Sequence, residues 1–172
     1  MSDFSDPIMG ARRRPRIWRF RSLLWIPVPI LAIFFQVYAP TFLGYLAFLE
    51  APLLITVYVA LTRREPISGL LAGCAIGLAQ DAFSHNPIGM FGIAKSLVGY
   101  LAGSLSQRVD VDNLVIRFLA GFVFFFFHQF LYWALASALL SQKLAMDPIQ
   151  TVVVSILNAL VAVPLFAALD KL

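Results

Sequence analysis

Apolar runs close to twenty residues long recur along this chain, and that feature leaves few architectures open. A run of that length matches the roughly 30 Å hydrocarbon core of a bilayer. Inside lipid every backbone N–H and C=O needs a partner within the protein, and a helix supplies one locally. The runs fall at about residues 22–39, 45–61, 67–83, 88–105, 114–140 and 149–169. Between them lie Pro40 with Gly44, then Arg63-Arg64-Glu65-Pro66, Ser84-His85-Asn86-Pro87, the polar stretch 107–113, and Met146-Asp147-Pro148. Only 13% of the residues are charged, against about 25% in a soluble domain, so a water-facing surface is not affordable. The expectation is an all-α membrane protein, with a basic cytoplasmic tail over 1–21 and about six transmembrane helices over 22–172. The first run exceeds a signal-peptide core and lacks a small-residue cleavage site, so it reads as an anchor.

Lys and Arg then set the orientation, because cytoplasmic loops retain positive charge. Arg12, Arg13, Arg14, Arg16, Arg19 and Arg21 precede the first run. Arg63 and Arg64 fill the second connection, Arg108 and Arg117 flank the fourth, and Lys171 closes the sixth helix. The alternate connections carry none, none and Lys143. Both termini are therefore expected in the cytoplasm. The net charge of +4 reads as a topology signal and a contact with anionic membrane lipids, not as a nucleic-acid surface.

The third and fourth runs carry the most information. Gly69, Gly73 and Gly77 recur every fourth residue, and Asp81 falls at the next step. Lys95, Gly99 and Gly103 follow the same spacing in the fourth run, with Gly92 nearby. Spacing of four places these residues on one helix face, and glycine lets another backbone approach closely. The two faces are expected to meet in an antiparallel hairpin. Asp81 and Lys95 then come within reach of one another, Lys95 by snorkelling toward the outer level. Two functions fit such a pair, a structural lock on helix register or part of a ligand or partner site in an outward-facing pocket; the third reading is that the two charges snorkel unpaired. Gln80, His85, Asn86, Pro87 and Gly89 surround it in sequence. Glu50, two residues before Pro52, reads as an interfacial carboxylate or a cavity residue. His128-Gln129 and Asn158 lie mid-span and are expected to hydrogen-bond between helices.

Catalytic chemistry finds no foothold. Two histidines, His85 and His128, and the lone Cys74 give no metal-ligand pattern. Ser84 and His85 are adjacent but lack the partners of a nucleophilic triad, and Lys95-Ser96 lacks a phosphate-cradling glycine loop. The expectation is a protein without catalytic residues, metal or cofactor.

Several of these elements occur together in a familiar order. Pro52-Leu-Leu-Ile-Thr-Val-Tyr-Val-Ala-Leu61, the basic residues after it, the Gly69, Gly73, Gly77 stripe, Gln80-Asp81, Asn86-Pro87-Ile88-Gly89 and Tyr100-Leu101-Ala102-Gly103 resemble the bacterial rod-shape-determining MreD family. The resemblance covers residues 52–104; the outer helices agree in hydropathy and order. It implies a non-enzymatic scaffold subunit of the cell-elongation machinery in the inner membrane. Its implied partners are MreC, the MreB filament, the RodA glycosyltransferase and a class B penicillin-binding transpeptidase. The family is also similar in fold to the membrane substrate-binding subunits of energy-coupling-factor transporters. That likeness supplies an alternative, a vitamin-type small-molecule binding subunit, which fold alone does not carry.

Overall fold

The described parts of the apolar runs are helical, the second interrupted after Phe48, and the other breaks fall largely where proline and charge place them. The computed structural model describes residues 27–84, 87–139 and 147–171. Its order is α1 (Pro27–Phe42), a 3-10 turn (Gly44–Phe48), α2 (Ala51–Arg63), α3 (Pro66–Phe83), α4 (Met90–Leu105), α5 (Leu114–Leu139) and α6 (Pro148–Lys171), with no strand among the described residues. Pro27, Pro52, Pro66 and Pro148 each sit in a first helical turn, where the missing N–H costs nothing. Pro40, expected to mark a turn, lies instead in the last turns of α1, which continues to Phe42.

Among the described residues four stretches are long and apolar enough to cross a membrane: Gly44–Arg63, α3, α5 and α6. The other two helices, α1 and α4, are 16 residues each. The burial pattern is that of a protein turned outward. Large apolar side chains such as Leu71, Ile93, Leu119, Val153 and Leu157 are exposed, while Gln80, Asp81, Lys95, His128, Ser155 and Asn158 are buried. Water-soluble domains bury the first kind and expose the second; lipid reverses the preference.

At the centre stands α2. Ten consecutive residues, 52–61, are buried, so this helix has no outward face. Leu53, Leu54 and Val57 join Val98 of α4, Phe124 and Phe125 of α5, and Phe166 of α6 in the main core. α1 covers a smaller cluster with Ile55, Val59 and Ile76.

The tightest pairing is α3 with α4, and glycine makes it possible. A Cβ on Gly69 would strike the Gly99 carbonyl, one on Gly73 the Lys95 carbonyl, and one on Gly77 the Phe91 carbonyl. Gly103 lies against Glu65 and Pro66. The matched pairs run in opposite directions along the two helices, which makes the hairpin antiparallel. A second close approach, which the sequence reading passed over, seats Gly121 of α5 on Ala159 and Ala162 of α6.

The bundle therefore has two ends. One gathers the starts of α2, α4 and α6 with the finishes of α3 and α5, and is called the Asp147 end below. The other gathers the opposite termini and holds Asp170.

Candidate functional site

At the Asp147 end, α3 hands the chain to α4 through a turn whose geometry rests on one carboxylate. Gly89 has φ +102°, a left-handed conformation that glycine adopts without a Cβ clash. That bend turns three backbone N–H groups toward Asp81: Gly89 and Gly92 donate to Oδ2 at 2.9 and 3.1 Å, and Phe91 donates to Oδ1 at 3.1 Å. Asp81 thus caps the start of α4 from the neighbouring helix, satisfying donors that a helix leaves open and placing negative charge at its positive end. Pro87 contributes by accepting from the Met90 N–H.

The Asp81–Lys95 ion pair expected from the sequence does not form. Asp81 is committed to the α4 backbone, and Lys95, fully buried, reaches the other way, to Glu50 Oε2 at 3.4 Å. Its ammonium also lies 4.3 Å from the centre of the Phe91 ring. Phe91 in turn stacks on His128 and Tyr132, with centroids 5.8 and 5.1 Å away. Among the described residues neither ring nitrogen of His128 nor Oε1 of Gln80 has a hydrogen-bond partner. The interhelical bond expected of His128 is replaced by ring stacking.

Glu50 owes its position to a break in the second span. The 3-10 turn ends at Phe48 and α2 begins at Ala51, so the backbone between them is irregular. Its free groups are met by side chains from other helices. Asn158 Nδ2 donates to the Phe48 carbonyl at 2.7 Å, and Asn158 Oδ1 accepts from the Glu50 N–H at 3.0 Å. Gln36 Oε1 accepts from the Ala51 N–H at 3.3 Å. Non-helical backbone survives at membrane depth only with such internal partners. Asn158 therefore does bond between segments, as its mid-span position suggested.

The broken segment forms one wall of a cavity of about 290 Å³. Glu50, Gln129, Tyr132, Trp133, Asp147 and Gln150 bring polar atoms to it, beside Phe48 and Phe125. Of the two readings of Glu50, cavity residue is the one its position fits.

A different cluster closes the Asp170 end. Arg117 Nη1 contacts Asp170 Oδ2 at 2.6 Å, its Nε donates to the Val111 carbonyl at 2.9 Å, and Nη2 lies 3.5 Å from Asp112. The Tyr58 hydroxyl donates to the second Asp170 oxygen at 2.9 Å. Helices α2, α5 and α6 and the loop before α5 are joined through one guanidinium. No spacing or motif marks Asp170, Tyr58 stands only as one residue of the Pro52–Leu61 motif, and Arg117 reads from sequence only as a topology charge. The signal available was an acid inside the last turn of an otherwise apolar helix.

Of the residues singled out in sequence, Gln80, Asp81, Pro87, Gly89 and Lys95 gather at the Asp147 end, while Gly69, Gly73, Gly77, Gly99 and Gly103 form the seam below them. His85, Asn86, Lys143 and the Arg-rich tail lie outside the described residues. Glu50 and Asn158 complete the group. A family model described as rod shape-determining protein MreD matches residues 17–172. No curated protein and no solved structure matches the chain.

Proposed function

The chain belongs to the MreD family of rod shape-determining proteins, and from that premise we propose that it is a non-enzymatic scaffold that docks membrane helices of its partners. The observation that supports this is a lateral crevice of about 250 Å³ between α1, α2 and α3. Its lining is aliphatic, with Ile30, Ile33, Val59 and Ile76, and its α3 side is kept shallow by Ala72, Ala75 and Ala79. Helices associate in lipid where small residues let them approach closely. The occupant we assign is the single membrane helix of an MreC-like partner. RodA and the class B penicillin-binding transpeptidase are further partners in this reading, and the MreB filament an indirect one.

The orientation proposed is amino and carboxyl ends in the cytoplasm, after six crossings of the inner membrane. Among the described residues Arg63, Arg64, Arg108, Arg117 and Lys171 all lie at the Asp170 end, and Lys95 is the exception. Topology reporters placed after Arg64, Arg108 and Leu172 are expected to read cytoplasm, and reporters near Asn86 and Lys143 the far side. A carboxyl end on the far side would remove one crossing from this reading.

Substitution separates docking from folding. Ala75 is exposed in the crevice, so Ala75→Leu is expected to leave folded yield unchanged while abolishing capture of the tagged partner and rounding the cells. Gly99→Leu, driven into the Gly69 carbonyl, is expected to lower folded yield instead. Full partner capture by folded Ala75→Leu and Ala72→Leu proteins would remove the crevice as the dock. The transporter-subunit alternative draws its support from the cavity at the Asp147 end. It requires saturable vitamin binding and a copurifying ATPase module.

A further inference from the structure

We propose that the cavity at the Asp147 end binds an ammonium group, independently of whether helices dock in the crevice. Three observations point to that chemistry. The first is charge. Glu50 and Asp147 line the cavity, and among the described residues neither Lys, Arg nor His does so. Behind the wall Asp81 balances Lys95, which is fully enclosed and contributes no donor to the cavity surface, so the two lining carboxylates set the sign. The second is the state of Glu50. One oxygen takes the Lys95 contact at 3.4 Å, the other has no hydrogen-bond partner among the described residues, and the side chain is 15% exposed on the cavity side. An ionisable residue lining a cavity at membrane depth marks a binding site or pathway more often than a structural contact.

The third observation is the walls. Phe48, Phe125, Tyr132 and Trp133 line the same cavity as the carboxylate, and aromatic faces attract organic cations. Gln129, Gln150 and Thr151 add neutral acceptors. A metal ion calls for a tighter set of ligands, and among the described residues no group of three His, Cys, Asp or Glu stands close enough to hold one. An organic ammonium fits where a divalent metal does not. The cavity also has depth: Gln129 lies ten residues, roughly 15 Å, before the end of α5. A ligand entering past Asp147 and Gln150 meets the Glu50 carboxylate at the floor. The ammonium has two possible carriers, a free amine in the aqueous phase or the ethanolamine head of a phospholipid.

Trp133 reports occupancy from the cavity wall. In the full chain carrying Trp18→Phe and Trp25→Phe, it becomes the single tryptophan. Reconstituted in phosphatidylglycerol nanodiscs, this protein is expected to show a saturable change in Trp133 emission with ethanolamine or choline, and none with propionate. Nanodiscs containing phosphatidylethanolamine form the second arm. If the lipid head is the occupant, they shift the emission without added amine; if a free amine is, they do not. Glu50→Gln/Lys95→Met removes both charges together and is expected to weaken binding at least tenfold. Ala47→Trp is expected to abolish it by filling the cavity from an exposed position, read with ethanolamine by calorimetry, since the added tryptophan obscures the emission. No saturable response in either arm would overturn the proposal. So would an equal response to propionate, or undiminished affinity in both variants.

Discussion

The two ends of this bundle bury opposite charges in different ways. At the Asp170 end a guanidinium serves several acceptors at once: Arg117 engages Asp170, Asp112 and the Val111 carbonyl, and Tyr58 occupies the remaining Asp170 oxygen. At the Asp147 end an ammonium with three donors finds one carboxylate oxygen at 3.4 Å and an aromatic face. Arg suits the first arrangement because its rigid fork serves several acceptors; Lys suits the second because it is a point charge on a flexible stem. The Asp170 end is a clamp, satisfied within itself. The Asp147 end is held in place by Asn158 and Asp81 but keeps acceptor capacity in reserve at Glu50.

The largest effect expected from disturbing this comparison comes from Glu50→Ala, which leaves the Lys95 ammonium buried and unpaired. Loss of one partner from such a pair costs about 3–5 kcal/mol, read as folded yield and as the midpoint of denaturation in detergent. Glu50→Ala/Lys95→Met is expected to recover most of that loss, because no charge is left without a partner. Additive losses in the double variant would mean that the two residues act separately. Asp81→Ala comes next. It orphans three N–H groups at the start of α4 and is expected to cost about 3 kcal/mol, with Asp81→Asn recovering part through its one carbonyl oxygen.

Arg117→Lys tests the clamp and is expected to cost about 1–2 kcal/mol, since a single ammonium cannot hold Asp170 and the Val111 carbonyl together. Asp170 is 35% exposed, so this loss is expected to shrink in high salt, whereas the Glu50→Ala loss is expected to persist. Equal salt sensitivity at both ends would erase the distinction. The smallest effect is a gain. Arg64 closes α2 with φ 55°, a conformation that costs a non-glycine residue about 1 kcal/mol, and Arg64→Gly is expected to return about that much.

Sequence made the helices legible because hydropathy and breakers act locally. α3 to α6 begin and end within two residues of the runs that announced them. The α3–α4 seam was legible for the same reason: glycine at every fourth position has one physical use in lipid. What escaped was non-local. Lys95 pairs across 45 positions with Glu50, and Asn158 reaches 108 positions back to the same residue. Hairpin spacing speaks only of neighbours, so it proposed Asp81 as the partner of Lys95. The break after Phe48 escaped too, because Leu49 and Pro52 keep the run apolar and hydropathy does not register backbone direction. His128 misled through its polarity, since stacking on Phe91 uses the ring and leaves its nitrogens aside.

The enclosure of α2 bears on how the molecule is born. Among the described helices this one is made early, yet four of the five that pack against it are translated later. During synthesis it stands in lipid with neighbours only on the α1 side, and its buried Thr56 hydroxyl turns back to the Pro52 carbonyl. That internal bond lets it wait there without a polar cost. In the Glu50 segment Gln36 of α1 can meet the Ala51 N–H early, but the Glu50 N–H and the Phe48 carbonyl have no such provision until Asn158 of α6 arrives. The order of translation therefore puts the groups at this bend on the chain well before α6, whose Asn158 is the side chain that closes it.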